Sequence, residues 1–186
     1  MKNVLREPLD IRQQIWKELG RASVDRHHEW RTPVLATVGC DGSPNARKVV
    51  LRKVDASQQT LCFYTDARSE KVSELTKEPK VVFVFWSHRL NWQLRVKAEI
   101  SITTEGPELQ TLWQRVQQSA SAADYMASAA PGTKRPEGYC AAQTLSGDHH
   151  FALLNSQVLQ MDWLELGHGG HWRARLSADT WEWLVP

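Results

Sequence analysis

The segment from Gln93 to Ile102 constrains the fold of this chain more than any other part of its sequence. Apolar residues occupy every second position of the segment, and polar residues fill the positions between them. Successive side chains of a β-strand point to opposite faces, so this alternation predicts a strand with one face on a core. The other face is expected to meet solvent, a ligand or a partner.

The remaining patterns add further strands and a few helices. Other strand-like segments are 33–38, 46–54, 60–65 and 81–86, with more strands between 156 and 185. Helical spacing occurs at 9–22, 67–77, 109–116 and 121–130. We predict six or seven strands, mostly in hairpins, with three or four helices outside them. Such a chain closes most easily as a mainly β (α+β) fold, an antiparallel barrel decorated by helices.

Composition and charge exclude several classes of protein. The chain has 186 residues and a net charge of +2, which indicates one domain and no general affinity for nucleic acid. Its three cysteines, Cys40, Cys62 and Cys140, are too widely spaced for a zinc motif or a disulfide framework. The charged start of the chain does not read as a signal peptide, and no stretch approaches the ~20 apolar residues of a membrane span. We therefore predict a soluble, cytoplasmic protein without a metal site, a membrane partner or a nucleic-acid partner.

A basic strand runs from Arg47 to Lys53. Alternation puts Arg47 on one face and both Lys48 and Arg52 on the other. Cations on both faces of an otherwise apolar strand need anionic partners or solvent. An exposed edge strand protected by its charges is one alternative. A barrel that binds single-stranded nucleic acid through these cations is another.

A second segment, Tyr64 to Lys71, ends a strand and begins a helix. Asp66 is a natural N-cap, and Arg68, Ser69 and Lys71 then fall in the first turn. A helix N-terminus presents free amide donors and partial positive charge, so this segment is a candidate phosphate site. Cations at that end oppose the helix dipole, and a bound anion would explain their placement.

Gln93 begins the polar face of the alternating strand. Its amide can donate to and accept from a heterocycle such as the pyrimidine ring of a flavin, although a surface glutamine is the simpler alternative. The histidines fall mostly in predicted loops and turns, where solvated imidazoles are expected. No general acid or base emerges from these patterns, so the catalytic residues stay unassigned.

In their order and spacing, these segments resemble the pyridoxamine 5′-phosphate oxidase-like family of FMN-binding split barrels. The matching pieces are the 47–52 strand, Phe63-Tyr64-Thr65, Ser69-x-Lys71, Pro79 before an apolar strand, Gln93, the run 172–175 and the closing 183–186. The resemblance implies an antiparallel split β-barrel that binds FMN at a homodimer interface. It implies a single FMN-binding domain over 1–186, in which 1–30 form an N-terminal helical extension and 156–186 supply the C-terminal strands that complete the barrel.

The resemblance also implies which residues hold the cofactor. Gln93 would face the isoalloxazine ring, and Arg175 and a tryptophan would contact the cofactor from the C-terminal strands. Glu165 stands at the aligned place of that tryptophan, and Trp163 lies two residues earlier on the same strand face. The implied FMN-binding residues are Arg47, Lys48, Val49, Val50, Leu51, Arg52, Tyr64, Thr65, Arg68, Ser69, Lys71, Gln93, Trp163 and Arg175.

The phosphate segment departs from the family pattern at one position. Glu70 stands where the family's oxidases carry an arginine. A carboxylate there would weaken FMN binding, unless the neighbouring Arg68 replaces the missing charge.

The substrate region departs more strongly. Tyr125 matches the family, but Ala129 stands where an arginine would hold the substrate phosphate. The C-terminal pair reads His171-Trp172-Arg173, inverted relative to the family. The implied substrate-binding residues are Tyr125, His171 and Arg173.

The resemblance therefore predicts an FMN-dependent oxidoreductase that acts on an unidentified small substrate. It is not expected to be an efficient vitamin B6 oxidase, because a phosphate that loses one bidentate arginine loses a strong contact. A non-catalytic FMN-binding carrier or sensor is the alternative.

Overall fold

The computed structural model of the protein describes residues 7–134, 147–167, 169–178 and 180–186. Within these ranges the chain forms three α-helices and nine β-strands. The helices are α1 (Pro8–Val24), α2 (Glu70–Lys77) and α3 (Pro107–Val116). The strands are β1 (Val34–Val38), β2 (Pro44–Lys48), β3 (Leu51–Asp55), β4 (Thr60–Asp66), β5 (Lys80–Ser87), β6 (Trp92–Thr103), β7 (Phe151–Glu165), β8 (Trp172–Leu176) and β9 (Trp181–Leu184).

The long strand β7 organises the sheet. On one side it pairs with β6, and on the other its N-terminal half pairs with β4 and its C-terminal half with β8. The described strands pair in the order β2-β1-β5-β6-β7-β4-β3, and the β8–β9 hairpin branches from β7. These pairings are antiparallel, so the predicted antiparallel split β-barrel decorated by helices is confirmed.

The alternating segment behaves as its sequence predicts. Leu94, Val96, Ala98 and Ile100 on β6 are at most 5% exposed, whereas the polar residues between them are exposed or half-buried. Inside the barrel they join aromatic side chains, including a Phe63–Phe83 pair whose ring centroids are 4.6 Å apart.

Two helices cover parts of the barrel. Ile11, Ile15 and Leu19 of α1 are fully buried and join the main core. Leu109 and Val116 of α3 belong to a second apolar cluster on the outside of β4 and β7. Among the described residues, no helix is long and apolar enough to cross a membrane.

Several local predictions differ from the structure. The predicted strand 46–54 is two strands, β2 and β3, because the chain breaks at 49–50, where the amide of Val49 donates to Pro33. The helix predicted at 67–77 begins at Glu70 with Ser69 as N-cap, since Asp66 still belongs to β4. The segment predicted as a helix at 121–130 contains only a short 3₁₀ turn. The described ranges hold nine strands rather than six or seven, because the predicted strand 46–54 is divided and because three strands rather than two close the chain.

Candidate functional site

The end of β4 and the start of α2 bring three polar side chains together. Lys71 Nζ donates to Thr65 Oγ1 and to Ser69 Oγ at 3.0 Å each, and the two hydroxyl oxygens are 3.1 Å apart. Ser69 occupies the N-cap position of α2, but its side chain makes no capping hydrogen bond to the helix. Its hydroxyl accepts a hydrogen bond from Lys71 instead. We call Thr65, Ser69 and Lys71 the Lys71 cluster. An ammonium group has three donors, so one N–H of Lys71 is left for a ligand.

Arg47 lies near this cluster and is held by a buried carboxylate. Its Nη2 donates to Glu74 Oε2 at 2.7 Å, and its Nη1 donates to Thr37 Oγ1. Glu74 also accepts from Thr37 and from Asn45 at 2.7 Å each, and its side chain is 1% exposed. Two strands and α2 therefore fix the position of the Arg47 guanidinium.

The electrostatics of Lys71 differ from those of a surface lysine. Burial lowers the pKa of Lys71, and the charge of Arg47 lowers it further. Burial acts to raise the pKa of Glu74, but the hydrogen bonds it accepts and the charge of Arg47 outweigh burial, so that pKa lies below its usual value. Lys71 and Arg47 thus lie close together. The carboxylates of Asp66 and Glu74 offset part of their effect on Lys71, but they are hydrogen-bonded to Arg68 and Arg47, so a bound anion would favour the charged form of Lys71.

Arg68 is engaged elsewhere. Its Nε and Nη2 donate to the carboxylate of Asp66 at 3.1 and 2.7 Å. Its other contacts reach the carbonyl oxygens of Ala127 and Ser128 at 2.8 and 3.1 Å. Arg68 therefore ties the chain after α3 to the end of β4, and the structure does not bring its guanidinium to the Lys71 cluster.

Glu70 occupies the first position of α2. Its side chain is exposed, and within the described ranges no hydrogen bond or ion pair joins it to the Lys71 cluster. A carboxylate at a helix N-terminus is favourable for the helix dipole, which gives Glu70 a local reason to stand there.

Arg52, Tyr64 and Tyr125 meet on the α3 side of β4. The guanidinium carbon of Arg52 lies 5.3 Å from the centroid of the Tyr64 ring. Burial raises the pKa of both phenols, and the charge of Arg52 opposes that shift. The Nε atom of Arg52 is buried and has no hydrogen-bond partner among the described residues.

The other residues of the basic segment have different surroundings. Val49 and Leu51 are 8% and 0% exposed in the core, so a ligand can reach them only through their backbone. Val50 is half-buried in the break between β2 and β3, and Lys48 is exposed at the end of β2.

Gln93 lies on the opposite face of the sheet from Arg47 and its partners. Thr37 on β1 points toward Glu74, so its neighbour Ala36 points the other way and pairs with Val82 of β5. Alternation along β5 and its pairing with β6 put Gln93 on the same face as Ala36. We call this face of β1, β5, β6, β7 and β8 the outer face.

Arg175 and Arg173 also lie on the outer face. Arg95 pairs with Asp162, which pairs with Arg175 across β6, β7 and β8. Arg175 makes one ion pair, with the exposed Glu182 at 3.3 Å.

Arg173 is held by the same carboxylate that holds Arg95. Its Nε and Nη2 donate to Asp162 at 3.1 and 3.0 Å, and Arg95 Nη2 donates at 2.6 Å. Burial acts to raise the pKa of Asp162, but these bonds outweigh burial and lower it. We call Arg95, Asp162 and Arg173 the Asp162 cluster. His171 is exposed just before β8.

Trp163 does not share a face with Arg175. Its side chain is 1% exposed in the core and packs edge-to-face on Trp92, with ring centroids 5.2 Å apart. Alternation along β7 places Trp163 and Asp162 on opposite faces, so the structure does not bring Trp163 to the outer-face group.

Most of the predicted polar residues thus fall into three groups rather than one, and Arg68, Lys48, Trp163 and the buried Val49 and Leu51 lie outside them. The Lys71 cluster with Arg47 is one, the group of Arg52 and two tyrosines is the second, and the outer-face residues are the third. Sequence reasoning missed both organising acids, Glu74 and Asp162. The sequence held one signal for each acid. Glu74 lies three residues after Lys71 on the same helix face, and Asp162 interrupts an apolar strand.

Comparison with known proteins identifies the group to which this architecture belongs. Residues 13–104 match the family described as "Pyridoxamine 5'-phosphate oxidase, FMN-binding domain". A pyridoxine/pyridoxamine 5'-phosphate oxidase of Chromohalobacter salexigens is 38% identical over 96 residues, which cover 50% of this chain and 41% of that protein. One from Thermosynechococcus vestitus is 44% identical over 66 residues, covering 36% of this chain and 30% of that protein. The chain thus spans less than half the length of these two curated relatives.

Solved structures share the whole fold at low sequence identity. A pyridoxamine 5'-phosphate oxidase-related, FMN-binding protein of Nostoc punctiforme has a TM-score of 0.71 at 22% identity, covering 97% of this chain and 98% of that one. PhzG of Burkholderia lata, solved with tetrahydrophenazine-1-carboxylic acid, has a TM-score of 0.71 at 19% identity, covering 99% and 95%.

The cofactor of the matched family domain is FMN, and the described residues suit its phosphate. Lys71 keeps a free donor between two hydroxyls, and Arg47 adds a second cation nearby. The first amides of α2 add free donors, as at any helix start. This donor set matches the charge and the hydrogen-bonding capacity of a phosphate dianion.

Proposed function

Because the chain belongs to the pyridoxamine 5'-phosphate oxidase-like family of FMN-binding split barrels, we propose that it is an FMN-dependent oxidoreductase acting on an unidentified small substrate. The observation that carries the proposal is the Lys71 cluster, a lysine held between two hydroxyls with one donor free. Bound FMN supplies the redox chemistry by taking up and passing on electrons at its ring.

The residues of the proposed phosphate site have different roles. Lys71, Ser69 and Thr65 bind the phosphate directly, and Arg47 supplies the second cation. Glu74 orients Arg47, because its buried carboxylate accepts the Nη2 hydrogen bond at 2.7 Å. Val49 and Leu51 have buried side chains, so they approach the cofactor through their backbone only.

We also propose that the protein acts as a homodimer in which two copies build each flavin site. Gln93 and Arg175 lie on the outer face, and the sheet separates them from the Lys71 cluster. One flavin held by both groups therefore needs one group from each copy. The outer face also carries an open apolar groove that a second copy would cover, lined in part by Val38 and Leu159, which are 43% and 46% exposed.

Sedimentation analysis with FMN tests this assembly. We expect a dimer with one flavin per copy, and we expect Val38→Lys to give a monomer that binds FMN at least about tenfold more weakly, because a buried unpaired charge opposes association. A monomeric wild-type protein with full flavin occupancy would contradict the two-copy site.

The substrate is proposed to be an acid other than a vitamin B6 phosphate. Ala129 is exposed and offers no charge, so Tyr125 and Arg52 lack the arginine that would complete a phosphate site. A single carboxylate needs fewer cationic donors than a phosphate dianion. Aromatic carboxylates therefore belong in a substrate panel, as does the ligand named with PhzG.

We propose one FMN-binding domain over 1–186 and a cytoplasmic location. The helix α1 of the N-terminal extension packs on the barrel core, and β7 to β9 are hydrogen-bonded into the sheet. Both cysteines within the described ranges, Cys40 and Cys62, are free thiols, which suits a reducing compartment.

Anaerobic reduction of the FMN-loaded protein tests the activity. We expect at least one compound of a panel of amines, alcohols and aromatic acids to bleach the flavin band near ~450 nm, and an acceptor such as oxygen to restore it. A Lys71→Ala protein without FMN serves as the control and should show no turnover. Tight FMN binding without reduction by any member of the panel would favour a carrier or sensor instead.

A further inference from the structure

A tight turn of residues 88–91 joins β5 to β6, and Gln93 follows it by two residues. Ser87 and Trp92 stand opposite each other as the last strand pair before the turn. Gln93 is the next residue of β6 and lies half-buried on the outer face. The conformation of the turn therefore sets where the chain enters β6 and how the amide of Gln93 is presented.

The carboxylate of Glu29 is hydrogen-bonded to this turn from outside the two strands. Its Oε1 accepts from the backbone amide of His88 at 3.0 Å, and its Oε2 accepts from the amide of Arg89 at 3.3 Å and from the hydroxyl of Ser87. The Ser87 oxygen in turn accepts from the amide of Leu90 at 3.2 Å. One carboxylate thus satisfies three donors at the start of the turn, and a fourth donor is satisfied through Ser87.

Glu29 is itself fixed by the segment that carries it. It begins a short 3₁₀ helix whose next residue, Trp30, is fully buried, with its ring centroid 5.7 Å from that of Phe85 on β5. The amide of Trp30 donates to Nδ1 of His28 at 3.1 Å, and Nε2 of His28 lies 2.9 Å from the buried carboxylate of Glu18 on α1. The N-terminal extension is therefore anchored to the core on one side and bonded to the β5–β6 turn on the other.

The donors of the turn keep Glu29 ionised. Burial acts to raise the pKa of Glu29, but the hydrogen bonds of the turn and the charge of His88 outweigh burial, so that pKa lies below its usual value. Both carboxylate oxygens already accept hydrogen bonds. A glutamine at this position offers one acceptor oxygen, and its NH₂ group would face a donor. All of these bonds lie within one copy of the chain, so they persist when a second copy covers the outer face.

We propose that Glu29 is a positioning residue for the flavin, because it fixes the turn from which Gln93 reaches the cofactor ring. The inference rests on the proposed function, in which Gln93 contacts the flavin. A donor held at the pyrimidine edge of the ring stabilises the negative charge that the ring gains on reduction. Without the carboxylate the turn no longer holds Gln93 in one orientation, so the reduced flavin loses that stabilisation.

The reduction potential of the bound flavin tests the proposal, because two possible roles of Glu29 move it in opposite directions. A carboxylate that acted only through its charge would disfavour the reduced ring, so Glu29→Gln would raise the potential. A carboxylate that acts through Gln93 has the opposite effect, and we expect Glu29→Gln to lower the potential. The expected change is about threefold in the equilibrium between oxidised and reduced flavin, or about 15 mV for a two-electron couple.

A double-mutant cycle shows whether the effect passes through Gln93. We expect Gln93→Leu to shift the same equilibrium about tenfold toward oxidised flavin, or about 30 mV, and Glu29→Gln to add nothing further in that background. Glu78→Gln is the matched control, because Glu78 accepts from the backbone amide of Lys80 at 3.1 Å at the opposite end of β5. It should leave the potential unchanged. A chemical reductant sets the potential, so the unidentified substrate is not needed.

Hydrogen exchange on the full chain, with and without FMN, tests the turn itself. The backbone amides of His88 and Arg89 should exchange at least about tenfold faster in Glu29→Gln than in the wild-type protein. The amide of Lys80 should exchange as in wild type, because its bond to Glu78 is untouched.

Three results would overturn the proposal. They are a potential that rises or stays unchanged in Glu29→Gln, a shift of full size that persists in the Gln93→Leu background, and unchanged exchange at His88 and Arg89. An unchanged potential in Gln93→Leu would overturn the ring contact of Gln93, and the role of Glu29 with it. A protein in which the cycle holds, yet no substrate reduces the flavin, would keep the role of Glu29 and reject the oxidoreductase.

Discussion

The Lys71 cluster and the Asp162 cluster both contain cationic side chains, but they differ in whether an acid is hydrogen-bonded to those cations. In the Asp162 cluster two arginines share one carboxylate, which accepts three hydrogen bonds of 2.6–3.1 Å. In the Lys71 cluster the ammonium group makes its hydrogen bonds, as far as the described residues go, to two neutral hydroxyls at 3.0 Å. The nearby acid, Glu74, is directed to Arg47 instead.

This difference shows that the acids next to a cationic side chain decide whether it can bind a ligand anion. Whether the side chain is a lysine or an arginine matters less. Arg173 and Arg68 were both candidates for ligand contact, and each is held by a carboxylate, Asp162 or Asp66. Lys71 has its charge in place and one donor free, so it is prepared for an anion.

The largest expected effect comes from removing the acid that holds Arg47. Glu74→Ala should destabilise the protein by about 3 kcal/mol, because it leaves a largely buried guanidinium without its carboxylate. Urea unfolding measures the loss, and Glu70→Ala on the same helix is the exposed control, expected within about 0.5 kcal/mol of wild type. Equal stability of both variants would mean that Glu74 does not hold Arg47.

The second-largest expected effect is a loss of FMN affinity rather than a loss of stability. Lys71→Ala should weaken FMN about 50-fold and leave riboflavin binding unchanged, because only FMN carries the phosphate that the ammonium group contacts. Fluorescence quenching of each flavin measures the affinities. Lys77→Ala, at the far end of α2, is the control and should bind FMN as wild type does. Parallel losses of FMN and riboflavin would place Lys71 at the ring rather than at the phosphate.

The corresponding change in the Asp162 cluster should act on stability alone. Asp162→Asn is expected to cost about 1–2 kcal/mol, less than a fully buried pair, because the Arg95 and Arg173 side chains are 44% and 28% exposed and water screens them. Thermal or urea unfolding checks this value against Glu182→Gln, an exposed acid that should change stability by less than about 0.5 kcal/mol.

The pH dependence of that variant sharpens the prediction. The pKa of Asp162 is lowered in the folded protein, so its contribution to stability is present above its unfolded pKa and is lost as pH falls through the folded value. The stability difference between wild type and Asp162→Asn should therefore shrink in acid. A difference that grows as pH falls would contradict the assigned ion pairs.

The smallest expected effect is the pH dependence of FMN binding above neutrality. Burial and Arg47 lower the pKa of Lys71, so its charge is present below that pKa and is lost at a lower pH than in a free lysine. FMN affinity should fall less than about tenfold as pH rises from 7 to 9. Lys71→Arg stays charged over this range, so its affinity should not fall. A fall of equal size in both proteins would assign the titration to another group.

The sequence predicted the fold more fully than the site because the fold depends on local patterns. The alternation at 93–102 is a two-residue period, and the register of β6 follows from which face is buried. The long strand β7 was predicted from residue 156 onward, because its first residues, 151–154, are all buried and show no alternation. A strand covered on both faces has no period to reveal it.

The site was less predictable because its partners are distant in sequence. Glu74 is 27 residues from Arg47, and Asp162 is 67 residues from Arg95. Sequence periodicity assigns each of these residues to a face but does not pair it with a residue on another element. The resemblance supplied the candidate ligand residues, whereas the three-dimensional pairing decided which of them are free.

The most direct measurement is a paired titration of the apoprotein with FMN and riboflavin, followed by desalting and a visible spectrum. The two flavins share the same ring and differ in the phosphate. If the Lys71 cluster binds that phosphate, FMN should bind at least about 100-fold more tightly and its bands should survive desalting, whereas riboflavin should be lost. Equal affinities, or a protein that stays colourless with FMN, would contradict phosphate binding at Lys71.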